Sequence, residues 1–248
     1  MAKPLLIFSH IPKTGGTTMR RIVDRVVPKQ YQFECDQRMR DLKRLMLLPP
    51  DKKSNIRLIY GHCLFGVHQL IRRPYTYITM LRHPVDLIIS YYHYIRNTHT
   101  HRWFHKVKSM SFEEFIHIKS PAQLVHPVNN MQTQYISGMK GTNTPSLAIA
   151  KKNIHNHYLF VGTTELYAES IFLLNQKLGW PLYAYTKMNV NKNKSTTPIT
   201  KNLINIIKQK NAIDCALYAY CKTNLETQIE KLSLSSKNKM QDFVDFHR

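Results

Sequence analysis

Pro4-Leu-Leu-Ile-Phe-Ser9-His10-Ile-Pro-Lys13-Thr14-Gly15-Gly16-Thr17-Thr18-Met19-Arg-Arg-Ile22-Val23-Asp-Arg-Val26 is the stretch on which the fold turns. Its first six residues form a short apolar run of the kind buried on both faces of a parallel sheet. Residues 10–16 break that run with a proline and two glycines, which argue for a loop. From Thr17 the apolar positions fall at Met19, Ile22, Val23 and Val26, the spacing of one helix face, and Pro28 stops it. Strand, glycine loop and helix in that order open a βαβ unit.

Working outward, Asp36 to Leu48 reads as a helix that ends before Pro49-Pro50. Ile56–Tyr60, Tyr75–Leu81 and His157–Val161 read as further strands. Pro84 to Arg96 is a helix with proline at its first position, where the missing N–H costs nothing. Ser111, with Glu114 three residues on, opens another helix, and Val128 to Ile136 is helical. A Thr-capped helix is expected from Glu165 to Leu178, and residues 200–233 read as mostly helical. The expected fold is therefore α/β: a P-loop-like three-layer domain with a central parallel sheet and helices on both faces. It is expected to form a single domain over residues 1–248, with a helical C-terminal addition from about residue 200.

Charge adds a weaker clue. Lys and Arg number 36 against 15 Asp and Glu, a formal net charge of +21. Such an excess steers polyanions toward a surface without saying which ones. Part of it reads as a solvated surface, the Lys/Asn-rich stretch from Lys187 to Lys210. Cys35, Cys63, Cys215 and Cys221 give no C-x-x-C pair, so neither a zinc ribbon nor a disulfide scaffold is expected. No apolar run approaches the roughly 20 residues that span a bilayer. With no signal-like start either, the expectation is a soluble, unexported, cytoplasmic chain.

Two motifs carry the chemistry. The first is the loop itself: Lys13, Thr14, Gly15, Gly16, Thr17 and Thr18 sit between a strand and a helix N-terminus. Backbone N–H groups there form an anion nest, the helix dipole adds positive potential, and Lys13 supplies a point charge. The lysine precedes the glycines, unlike the ATPase loop G-x-x-x-x-G-K-[ST]. The second is Thr79-Met-Leu-Arg82-His-Pro84-Val-Asp-Leu-Ile-Ile-Ser90. It offers a forked guanidinium at a strand end and a hydroxyl on the following helix.

In these motifs the chain resembles the PAPS-dependent carbohydrate sulfotransferases, the branch that includes the heparan sulfate and chondroitin 2-O-sulfotransferases. The resemblance covers roughly residues 4 to 200 and implies roles residue by residue. Residues Lys13 to Thr18 would cradle the 5′-phosphosulfate, while Arg82 and Ser90 would grip the 3′-phosphate. Asn191 and Lys194 would belong to a loop over the cofactor. Tyr60-Gly61-His62 matches the family's Gly-His, whose histidine is the proposed general base; Glu34 is the second candidate, since related enzymes use a glutamate. Lys13 would also stabilise charge on the leaving phosphate. PAPS is then the cosubstrate, no metal is expected, and the acceptor is a carbohydrate, anionic if the basic surface serves it. No specific nucleic-acid partner is expected.

Two other functions compete. An ATP-dependent P-loop phosphotransferase explains the first loop alone, and a non-catalytic polyanion-binding protein explains only the charge. Some residues invite weaker readings. His99 and His101 lack the partners of common zinc sites, and the segment from His99 to Lys108 reads as a basic, aromatic loop. Asn130 and Thr133 either touch the acceptor or form a polar helix face, and Tyr91, Tyr92 and Tyr94 read as packing.

Overall fold

Strand β1 (Leu5–Ser9) is buried along its whole length, as its unbroken apolar run requires. The computed structural model describes residues 4–35, 39–118, 129–138, 145–186 and 199–247. After β1 the chain forms α1 (Gly16–Val26), β2 (Gln32–Glu34), α2 (Met39–Leu47), α3 (Pro50–Asn55) and β3 (Leu58–Gly61). It continues through β4 (Tyr75–Leu81), α4 (Pro84–Asn97), α5 (Phe104–Val107), α6 (Phe112–His117), α7 (Met131–Ser137) and α8 (Leu147–His157). Last come β5 (Tyr158–Thr163), α9 (Tyr167–Leu178), α10 (Lys201–Lys210), α11 (Ala212–Glu230) and α12 (Leu234–Phe246).

The five strands form one sheet in the order β2-β3-β1-β4-β5. All its pairings are parallel: Ile7 of β1 stands opposite Ile59 of β3 on one side and Tyr77 of β4 on the other. Alternate residues of β1 serve opposite faces. Leu6 and Phe8 pack with Met19, Ile22 and Val23 of α1 and with Ile171 and Leu174 of α9. Leu5 and Ile7 pack with Leu45 of α2. The expected three layers are present. A separate cluster joins α4, α6 and α10 through Ile88, Phe115 and Ile207. Among the described residues no helix is long and apolar enough to cross a membrane.

Several expectations change. Strand β2 was not foreseen: three residues are too few for a period, and only pairing with β3 defines it. Helices α3 and α8 were also not foreseen; α8 packs Leu147, Ala150 and Ile154 on one core cluster, a stripe of only three residues. Between His99 and Lys108, the loop contains the short helix α5. Helix α9 begins at Tyr167 rather than Glu165 and has no threonine cap: its N-cap position is Leu166, two residues past Thr164. The Ser111 capping box forms as expected.

Candidate active site

The C-terminal edge of the sheet builds the site. His10 N donates to Gly61 O at 2.8 Å, and Ser9 Oγ donates to Cys63 O at 2.7 Å. These bonds lock the ends of β1 and β3 together and set the His10 and His62 rings 4.5 Å apart. His62 Nδ1 lies 2.7 Å from the carbonyl oxygen of His10. A carbonyl can only accept, so Nδ1 carries the hydrogen and the neutral ring's lone pair sits on Nε2. His10 itself is held uncharged. Burial, then the neighbouring His62, Lys13 and Arg20, push its imidazole down to about 3.

The phosphate loop takes its shape from two left-handed residues, Lys13 (φ 67°) and Gly15 (φ 78°). For a lysine that conformation costs about 1 kcal/mol, the kind of strain that collects at functional sites. Thr14 lies buried between them, and its hydroxyl donates to Ile11 O at 2.8 Å, bracing the loop. Gly15 is required twice over, because a Cβ there would also sit 2.5 Å from Tyr167 Cε2. A Cβ on Gly16 would overlap the His10 imidazole. Helix α1 begins at Gly16, so its N-terminal end and dipole face the loop.

Arg82, just past β4, reaches across and donates from Nη1 to Lys13 O at 3.2 Å. Its backbone is clamped by Gln132 of α7, which accepts from Arg82 N at 2.9 Å and donates to Arg82 O at 2.8 Å. Burial and the Arg82 charge push the Lys13 ammonium down to about 8, which leaves it cationic at neutral pH.

A cleft of about 640 Å³ collects these groups. Lys13, Gly15, Gly16, Thr17, Thr18, His62, Arg82 and Ser90 all line it. Thr14 supports the loop from behind. Glu34, at the end of β2, does not line the cleft; its Oε1 accepts from Arg20 at 3.2 Å and its side chain is 58% exposed. Asn191 and Lys194 lie outside the described residues.

The cleft also has walls that sequence reasoning missed: His10, Tyr94, Glu165, Tyr167 and, from the last helix, Val244 with His247. Only Tyr94 carried a legible signal, standing four residues after Ser90 on one helix face. It is not simply packing: it is exposed to the cleft and contacts Lys13. Glu165 accepts from His83 N and from the Tyr218 hydroxyl, both at 2.8 Å, tying α4 to β5 and α11. Asn130 and Thr133 are buried and bonded to Asn211, the residue before α11, and to Asp214 within it, and neither lines the cleft. His101 Nδ1 accepts from Trp103 N, and among the described residues no three His, Cys, Asp or Glu side chains gather as a metal site.

Comparison with known proteins bears on this geometry. The model of the galactose-3-O-sulfotransferase family matches residues 49–242, well over half of the sequence. The chain belongs to that family. Drosophila melanogaster Heparin sulfate O-sulfotransferase is 25% identical over a 274-residue alignment that covers 97% of this chain and 77% of the fly protein. Caenorhabditis elegans Heparan sulfate 2-O-sulfotransferase hst-2 is 26% identical over 191 residues, covering 68% of this chain and 59% of the worm protein. Mouse sulfotransferase SULT7A1, solved with PAP, aligns with a TM-score of 0.40 at 13% identity, over 84% of this chain and 63% of that one. The expected kinship with the carbohydrate sulfotransferases is thus borne out at family level. The galactose-3-O-sulfotransferase match starts after the phosphate loop, whose assignment rests on the loop's own geometry.

Proposed function

We propose that this protein transfers the sulfuryl group of PAPS to a hydroxyl of a carbohydrate. The observation that carries the reading is one cleft with two phosphate-binding elements and a histidine of defined tautomer between strand ends. Lys13, the Gly15–Gly16 turn, Thr17 and Thr18 suit a 5′-phosphosulfate, and Arg82 with Ser90 suits a 3′-phosphate. ATP has no 3′-phosphate for the second element.

Bound there, the nucleotide supplies an activated sulfuryl group. His62 takes the acceptor hydroxyl's proton on Nε2, while Nδ1 stays bonded to His10 O and fixes the ring. Lys13, cationic at neutral pH, meets the negative charge that develops on the leaving phosphate. His62 is favoured over Glu34 as the base because it lines the cleft, whereas Glu34 is paired with Arg20 outside it. The net charge of +21 supports an anionic glycan as acceptor, as do the heparan sulfate names of the relatives.

Thermal unfolding with added nucleotides tests the cofactor half of this reading. A ligand at 100 times its Kd adds about 2.7 kcal/mol, roughly 5–10 °C for a chain of this size. The expected result is a shift of that order with 3′,5′-ADP and clearly smaller shifts with 5′-ADP and ATP. An equal or larger shift with ATP would favour the phosphotransferase instead.

A further inference from the structure

Tyr94 stands one helical turn beyond Ser90 on α4, and both side chains line the cleft. The Lys13 ammonium lies over the Tyr94 ring, with Nζ 4.3 Å from its centroid. The residue is 39% exposed, yet the ring is held at its edges by T-shaped contacts with His101 at 5.5 Å and Tyr91 at 6.1 Å. The Lys13 backbone is fixed as well, by its left-handed conformation and the bond from Arg82 to its carbonyl. With both ends of the arrangement fixed, the ring face decides where a flexible four-carbon side chain ends. Arg82 repels that ammonium and partial burial strips it of water, so a ring face is its compensating neighbour.

We propose that Tyr94 is a positioning residue for Lys13: its ring holds the ammonium at the end of the cleft where the phosphosulfate docks. The inference rests on the reading of this cleft as a PAPS site. It also gives the segment from His99 to Lys108 a part in the chemistry, because His101 braces the ring that holds the lysine.

A double-mutant cycle on 3′,5′-ADP binding, measured by titration calorimetry with the full chain, tests it. Tyr94→Leu is expected to weaken binding about 3- to 30-fold, the worth of a partly desolvated cation–π contact. Tyr94→Phe, which keeps the ring and loses the hydroxyl, is expected to restore most of that affinity. On a Lys13→Met background, Tyr94→Leu is expected to add no further loss, because the partner is already gone. Unchanged or tighter binding by Tyr94→Leu would overturn the inference. So would an equal loss in both backgrounds, or a phenylalanine variant as weak as the leucine one. If the unaltered, cooperatively melting protein binds no 3′,5′-ADP, the PAPS reading itself falls, and this inference with it.

Discussion

In the proposed reaction His62 serves as the base and Lys13 as the charge, and each makes its own demand on pH and substitution. His62→Ala removes the imidazole proposed to take the acceptor's proton and keeps the side chains of Lys13, Thr17, Thr18 and Arg82. Its kcat is expected to fall about 10²- to 10⁴-fold, with 3′,5′-ADP binding retained. Steady-state rates with PAPS, beside titration of 3′,5′-ADP, check this, and a near-normal kcat would remove His62 as the base. Lys13 is charged below its pKa of about 8 and neutral above it. Only the ammonium attracts phosphate, and bound phosphate in turn favours the ammonium. Above about pH 8, then, 3′,5′-ADP binding takes up a proton and weakens by up to about tenfold for each further pH unit. Calorimetry in buffers of different ionisation enthalpy reads both effects; a flat affinity from about pH 7 to 9 would contradict them.

Helices α7 and α11 cap one another, and through that exchange they hold Arg82. Asp214 of α11 accepts from Gln132 N, Thr133 N and Thr133 Oγ1 at the start of α7, while Asn130 Oδ1 accepts from Asp214 N. Gln132, placed by this exchange, clamps the Arg82 backbone on both sides. Asp214→Ala leaves three buried donors without a partner, each costing about 1–3 kcal/mol. The expected loss is about 3 kcal/mol or more of stability, about 6–12 °C in Tm, together with weaker 3′,5′-ADP binding. A differential scanning calorimetry trace with unchanged Tm would show that the exchange does not matter.

None of this exchange was legible in the sequence, where Asn130 and Thr133 stood as possible acceptor contacts. The partners lie about 80 residues apart, and no local spacing links them. The elements that were legible are those with local causes. The apolar run of β1, the glycine turn, Pro84 at the first position of α4 and the Ser111 capping box each state their own conformation. Strand β2 and the cleft walls His10, Tyr167, Val244 and His247 are made by tertiary contact, and so they went unread.

Across the whole molecule, the sheet order puts the phosphate loop after β1 and Arg82 after β4, adjacent strands of one parallel sheet. A single extended anion with two phosphate groups can therefore bridge two neighbouring strand ends, where open α/β sheets bind their ligands. His62 follows β3, on the other side of β1, so the proposed base and the proposed 3′-phosphate grip, Arg82, flank the loop. The last helix, α12, closes the cleft from a segment more than two hundred residues along the chain. The chain's net charge of +21 acts at longer range and favours, in the proposed reaction, an anionic acceptor.

The most direct measurement is transfer of labelled sulfate from PAPS to carbohydrate, run with acidic glycans, neutral galactose-containing glycans and no acceptor, and repeated with His62→Ala. The expected result is label in a glycan hydroxyl ester, faster with the acidic acceptors, and loss of nearly all transfer in the variant. No transfer to any glycan by protein that binds 3′,5′-ADP would contradict the carbohydrate acceptor, and undiminished transfer by His62→Ala would contradict the mechanism.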